Sequence, residues 1–300
     1  MLGARGAVGT VVRRELEDAG HEVTAASRAS SGGARVDLHA DLSPIATLAA
    51  AHDVVVNASG VERAELASAT RATPLVDISA TGSYLERLRS SSMGPVVLGA
   101  GLAPGLSTIL ARAVAEETDA GDLDVLVMLG AGEKHGPAAV DWTAGLVGTP
   151  VHRPPEGGDV QNLRESLRAA GPDGRARRYL RADFPDHMLL DDLDRPVRSW
   201  LTLGSAPLTA ALSLVGRMPA LRGMLNAAPH WGSDAWHVVV RDRGTGRQRS
   251  AEGRGQSEAT GRLTALAVVR VAERASSSRT RAVTMADLVT AEEALAVLSR

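Results

Sequence analysis

Close to the start of the chain, Val8, Val12, Leu16 and Ala19 recur at helical spacing. Arg13, Arg14, Glu15, Glu17 and Asp18 lie between them, and Gly20 follows as a stop. This pattern predicts a helix with one buried face. Short apolar runs come next, at residues 21–27, 35–38, 53–57, 75–79 and 95–99, with helix-length stretches between them. Strands alternating with helices pair in parallel through right-handed crossovers. The expected fold class is therefore α/β, with a Rossmann-type doubly wound parallel sheet.

A second region opens near Gly121. Residues 122–129 read as a strand running into the loop Gly130-Ala-Gly-Glu-Lys-His-Gly136. Residues 151–174 are rich in Pro, Gly and Arg, and predict a loop with one short helix. Apolar helices are expected around 209–225. Residues 234–241 and 247–253 flank Asp242-Arg-Gly-Thr-Gly246, which reads as a β-hairpin. A final helix is expected over 257–275, and the serines at 276–278 read as an exposed loop.

Composition narrows the function classes. Three hundred residues suit one large α/β domain or two domains. A formal charge of −2, from 33 basic and 35 acidic residues, argues against nucleic acid or an anionic membrane as a partner. Cysteine is absent, which removes disulfides, thiolate metal sites and a cysteine nucleophile, and fits a cytoplasmic protein. No apolar run has the length of a membrane span. No histidine pair has metal-site spacing, so no metal is expected. Lys134 is the sole lysine among many arginines.

The candidate chemistry begins at Gly3, Gly6 and Gly9, spaced GxxGxxG. In such a loop one glycine allows the turn from strand to helix, one lets backbone approach a pyrophosphate, and one lets the helix pack on the sheet. The diphosphate would sit at the helix N-terminus, on Ala7 and Val8. An acidic residue after the second strand would bind a ribose diol, but this chain has Ser27-Arg28 there. A guanidinium suits a 2′-phosphate, so NADP is expected over NAD, with Arg5 as a second phosphate contact. Asn57, Ala58 and Ser59 follow the fourth predicted strand, where such a sheet meets the cofactor's ribose. Only Met1 and Leu2 precede Gly3. Either the true start lies upstream, which is the expectation, or the sheet is built with a truncated first strand.

The segments GARGAVG, HEVTAASR, DVVVNASG, LVDISA and GAGLAPGLSTILAR, in this order, resemble the NADP-binding domain of saccharopine dehydrogenase-like oxidoreductases. The likeness spans residues 1–117 and is most specific over 99–112; Gly255-Gln-Ser-Glu-Ala-Thr-Gly261 adds a weaker one. The resemblance implies three parts: an NADP-binding domain over 1–120, an inserted α/β domain for substrate and dimerisation over 121–256, and C-terminal helices over 257–300 that pack back on the first. It also implies hydride transfer between a nicotinamide cofactor and a C–N or C–O bond of a small metabolite. Residues 151–228 select no family member.

Ligands of open α/β sheets bind beyond the carboxyl ends of the strands. Asp77, Ser79, Gly101, Pro104 and Ser107 are therefore expected near the nicotinamide, with Gly101 as a cofactor contact and Asp77 as a catalytic candidate. Lys134 and His135 are the other catalytic candidates, since hydride transfer needs a group to move the accompanying proton. Asp141 and Trp142 would wall the same pocket, and His187, His230 and His237 are held in reserve. A short-chain dehydrogenase is excluded, because neither Tyr84 nor Tyr179 has a lysine four residues on. A non-catalytic NADP sensor and an inactive product of a degraded gene are the alternatives.

Overall fold

A computed structural model describes residues 1–30, 34–118, 121–133, 137–227, 232–274 and 282–300. The chain divides into two compact units, one of residues 1–106 with 257–300, the other of 107–256. The second is thus inserted into the first.

The first unit is a parallel array. Helix α1 (Ala7–Asp18) follows the glycine loop, and α2 (Ser43–Ala50) precedes strand β1 (Val55–Asn57). Helix α3 (Glu65–Ala69), β2 (Leu75–Asp77), α4 (Gly82–Ser91) and β3 (Val96–Leu98) complete the alternation. Strand β1 pairs with β2 and β2 with β3, all parallel. These three strands are buried along their whole length, as expected for strands covered on both faces.

The predicted first three strands are each reduced to one or two bridging residues. Leu2 bridges Ala26 on one side and Asn57 on the other, and Ser27 bridges Arg35, all parallel. Backbone bonds from Leu2 N to Val56 O (2.9 Å), Ala26 N to Met1 O (2.9 Å) and Ala58 N to Leu2 O (3.1 Å) fix that centre. Residues 21–25 and 36–38 do not form the longer strands expected of them. The spatial order is Arg35, Ala26–Ser27, Leu2, β1, β2, β3, which is the Rossmann order with its switch point between Leu2 and β1.

In the inserted unit, α5 (Leu106–Glu117) leads to β4 (Leu123–Leu129), and α6 (Pro137–Gly145) precedes β5 (Ser166–Ala170) and β6 (Ala176–Arg181). Helix α7 (Asp186–Leu189), β7 (Val197–Leu203), α8 (Ala206–Arg217), a 3-10 segment (Pro219–Ala227), β8 (Ala235–Asp242) and β9 (Gln248–Arg254) follow. The six-stranded sheet runs β5-β6-β7-β4-β8-β9; only the β4–β7 pair is parallel. Leu126, Ala169, Tyr179, Trp200 and Val239 form a buried cluster on one face.

The expected β8–β9 hairpin is present. Asp242 Oδ1 accepts from Gly244 N and Thr245 N, both at 2.8 Å, and so shapes its turn. The loop expected over 151–174 instead contains β5, which pairs antiparallel with β6. The turn Gly171-Pro-Asp-Gly174 was the available signal. It was hidden because the flanking strands are arginine-rich and show no apolar alternation.

The chain returns to the first unit through α9 (Gln256–Arg274), β10 (Ala282–Thr284), α10 (Met285–Leu288) and α11 (Ala291–Leu298). Strand β10 extends the array beyond β3. Helix α9 packs close to α1: a Cβ at Gly261 would stand 2.5 Å from Val11 Cβ, so glycine is what lets the helices approach. Among the described residues no helix is long and apolar enough to cross a membrane.

Candidate functional site

Three glycines define the loop, each with a different environment. Gly3 has φ +78°, and a Cβ there would stand 2.2 Å from Ala58 O. A Cβ at Gly9 would stand 2.0 Å from Gly3 O. Both are glycine because backbone passes too close for a side chain. Gly6 differs. Its φ is −72°, and a Cβ would meet only Gly3 O at 3.3 Å and Ala58 O at 4.0 Å. Gly3 O would have to give by a few tenths of an ångström, so glycine is demanded less strictly here than at Gly3 and Gly9; Gly6 is exposed and caps α1.

Helix α1 has no side-chain cap and no acidic residue in its first turn. The N–H groups of Ala7, Val8 and Gly9 have no acceptor among the described residues; the first intrahelical bond is Thr10 N to Gly6 O, 2.9 Å. Arg5 and Arg28 are exposed and form no hydrogen bond or ion pair with described residues. The Ser27 and Ser30 hydroxyls lie 3.0 Å apart, and Ser30 Oγ donates to Ala25 O, which fixes the turn carrying Arg28. Amides and two guanidinium groups without partners among the described residues are features an anionic dinucleotide needs.

The ends of β1 and β2 are tied together by side chains. Asn57 is buried: its amide Nδ2 donates to Asp77 Oδ2 (2.8 Å) and Val61 O (3.2 Å), while Oδ1 accepts from Ser59 Oγ (2.6 Å) and Ser59 N (3.3 Å). Asp77 is fully buried, with Oδ1 accepting from Ser79 N (2.8 Å) and Oδ2 also accepting from the Tyr84 hydroxyl (2.8 Å). Burial pushes the Asp77 carboxyl up from its ordinary value, and the donors from Asn57, Ser79 and Tyr84 oppose that shift. Burial also pushes the Tyr84 hydroxyl up, so it stays protonated and donates.

The polar side-chain atoms of Asn57 and Asp77 thus all have protein partners. Tyr84 is the residue that sequence reasoning missed. It lies seven positions from Asp77, on a different element, and no motif announces the pair.

Other expected residues fall as follows. Ala58 and Ser59 stand half-buried beside Gly3. Gly101 is buried, and a Cβ there would lie 3.2 Å from Thr260 Cγ2, so it faces α9. The turn 101–105 closes on itself through Gly101 N to Pro104 O (3.0 Å) and Leu106 N to Gly101 O (2.9 Å). The backbone N–H of Leu106 is therefore taken by the turn. Ser107 is fully buried, and its Oγ donates to Asp186 Oδ1 (2.5 Å), so it serves the interior of the inserted unit.

Lys134, His135 and His230 lie outside the described residues. Their neighbour Glu133 accepts from Gln256 N (2.6 Å). Trp142 packs against Phe184 with ring centroids 4.7 Å apart. His187 Nε2 lies 2.8 Å from His152 O, and His237 Nε2 lies 2.8 Å from the Tyr179 hydroxyl. Among the described residues no group of His, Asp or Glu could hold a metal ion.

Two open polar grooves of about 630 and 390 Å³ share the lining residues Arg63 and Glu65 and include no residue of the glycine loop. Their walls carry both signs of charge and no set of free donors converges there.

No family model matches the sequence. No curated protein matches it either. Among solved structures, an engineered D-amino acid dehydrogenase aligns over 96% of this chain and 93% of its own, with 14% identity and a TM-score of 0.48. A C. glutamicum DAP dehydrogenase in complex with DAP aligns over 96% and 92%, with 15% identity and a TM-score of 0.49. A dipicolinate-bound dihydrodipicolinate reductase from Paenisporosarcina sp. TG-14 aligns over 96% and 97%, with 12% identity and a TM-score of 0.42. Likenesses at this level place no activity on the chain.

Proposed function

We propose that this protein is an NADP-dependent oxidoreductase that moves a hydride to or from a C–N or C–O bond of a small metabolite, in a frame resembling the saccharopine dehydrogenases. The observation that carries the reading is Gly6. Its crowding is milder than that of Gly3 and Gly9, an added Cβ meeting Gly3 O at 3.3 Å, and it stands at the N-terminus of α1, while Arg5 and Arg28 pair with no described residue. Close approach of a phosphate supplies a further reason for glycine there.

In this reading the amides of Ala7, Val8 and Gly9 hold the diphosphate, and Arg28 with Arg5 holds the 2′-phosphate that separates NADP from NAD. Ala58 and Ser59 border the ribose, while Asn57 and Asp77 fix the strand ends beneath it. The bound nicotinamide supplies the hydride chemistry. Lys134 and His135 move the accompanying proton, and residues 107–256 select the substrate.

Titration with NADPH and NADH, followed by nicotinamide fluorescence, tests the cofactor assignment. NADPH should bind at least tenfold more tightly, and equal or absent binding would overturn it. Replacing Lys134 and His135 by Ala should then abolish turnover with NADPH affinity kept. Variants that retain substrate-linked turnover would remove the proton-moving roles.

A further inference from the structure

Residues 150–161 form a closed loop on the inserted unit. Pro150 bridges Gln161, and Val151 N donates to Val160 O (2.8 Å). The Asn162 amide Nδ2 donates across the neck to Thr149 O (3.1 Å) and Pro150 O (3.2 Å). Compact surface loops with closed ends often carry function. At the tip, Pro154-Pro-Glu-Gly-Gly158, the two glycines have φ +71° and +70° and open space around them.

The segment that ends β6 and enters α7 holds this loop down with three side chains. Arg181 is fully buried. Its Nε and Nη2 donate to the two oxygens of Glu156, both at 3.2 Å, and its Nη1 donates to Ala182 O (3.2 Å) and Ser199 O (2.9 Å). Asp183 Oδ2 accepts from His152 N (3.0 Å). His187 Nε2 donates to His152 O (2.8 Å), because a carbonyl only accepts.

At the base of the same loop, three buried atoms have no partner among the described residues: Asp183 Oδ1, His187 Nδ1 and Asn162 Oδ1. This holds in either protonation state, since a proton on Asp183 or on His187 Nδ1 would still have no acceptor within reach. Protein interiors leave few such atoms, and each calls for a reason. The ion pair beside them joins the most buried guanidinium of the unit to a side chain on an exposed, glycine-flanked tip. Simply lifting the tip would leave that guanidinium unpaired, which is costly; replacing Glu156 by another carboxylate keeps it paired throughout.

We propose that Arg181 is a carboxylate-binding residue of the inserted unit, that Glu156 is its internal occupant, and that a small metabolite bearing a carboxylate displaces Glu156 and lifts the loop. Gly157 and Gly158 let Glu156 swing away, and the metabolite's other polar groups meet the unpartnered atoms of Asp183, His187 and Asn162. The inference rests on the reading that residues 107–256 select the substrate.

Hydrogen exchange of the full-length protein tests it, read at the amides of residues 151–160, with acetate as the probe at constant ionic strength. Acetate should speed exchange there, and acetamide, neutral and of the same shape, should not. A latch lowers apparent affinity by the fraction of molecules in which it is open. Glu156→Gln, which keeps the side chain's length and removes its charge, should therefore respond at an acetate concentration at least about tenfold below that of the wild type. If this variant does not fold, the wild-type response decides. Acetate that merely fills space beside a structural ion pair would slow exchange or leave it unchanged, and either result overturns the proposal, as does equal acceleration by acetamide. NADPH titration of the same protein separates the two readings. An acetate response without NADPH binding removes the oxidoreductase reading and keeps the carboxylate site; NADPH binding without an acetate response does the reverse.

Discussion

Substituting alanine separately at Gly3, Gly6 and Gly9 discriminates between a loop shaped by its own backbone and one shaped by a ligand. At Gly9 the added carbon would stand 2.0 Å from Gly3 O, well inside contact distance. Overpacking of this kind costs about 1–3 kcal/mol. At Gly3 the carbon would stand 2.2 Å from Ala58 O, and φ +78° is strained for an L-residue. The left-handed conformation adds about 1–2 kcal/mol to a similar clash.

At Gly6 an added Cβ would press on Gly3 O at 3.3 Å, which a shift of a few tenths of an ångström in the loop relieves, and the remaining terms nearly cancel. Reduced freedom of the unfolded chain stabilises by about 0.4–1 kcal/mol, and alanine is poorer than glycine as a helix cap by a comparable amount. Net stability should stay within about 1 kcal/mol of wild type, or a few degrees in Tm. The same methyl group would hold a phosphate away from the amides of Ala7 and Val8. Losing one charge-assisted hydrogen bond costs about 1.5–3 kcal/mol, which is about 10- to 150-fold in Kd.

Thermal denaturation with and without NADPH separates these quantities, because a ligand that binds only the folded state raises Tm according to its concentration over Kd. Gly6→Ala should keep the ligand-free Tm and lose the NADPH-induced rise; Gly9→Ala should lose ligand-free Tm first. A Gly6→Ala variant that binds NADPH like wild type would refute the reasoning, as would one that unfolds as readily as Gly9→Ala.

Three further outcomes are expected. Arg28→Ala should weaken NADPH by about 10- to 100-fold and leave NADH and Tm unchanged, because Arg28 is exposed and pairs with no described residue; parallel titrations check this. His237 is buried, and burial lowers its pKa from 6.5 to about 4, so between those values the unfolded chain binds the extra proton. Stability should therefore fall as pH drops from 6.5 towards 4, by up to about 3 kcal/mol, and urea denaturation of His237→Gln should show a flatter pH dependence. Arg195 holds the fully buried Asp242 at 2.5 Å and also donates to Thr118 O at 2.7 Å. Arg195→Leu leaves that carboxylate unpaired and should cost about 3–5 kcal/mol by chemical denaturation.

The sequence alone determined the features that depend on neighbours along the chain. The amphipathic α1 and the glycine loop, the apolar runs of β1 to β4, the β8–β9 hairpin and the long α9 were all legible. Periodicity, turn residues and helix stops act over a few positions and leave a readable pattern. The tertiary structure decided what depends on approach across the chain. Only there does Leu2 prove to bridge two strands, and only there do Gly3 and Gly9 separate from Gly6, because what a Cβ would meet comes from Ala58 and from the loop's own return. Only there do Asn57 and Asp77 prove to be hydrogen-bonded to each other. Their further partners Tyr84, Ser59 and Ser79 come from other turns and helices, and no pattern along the chain announces them.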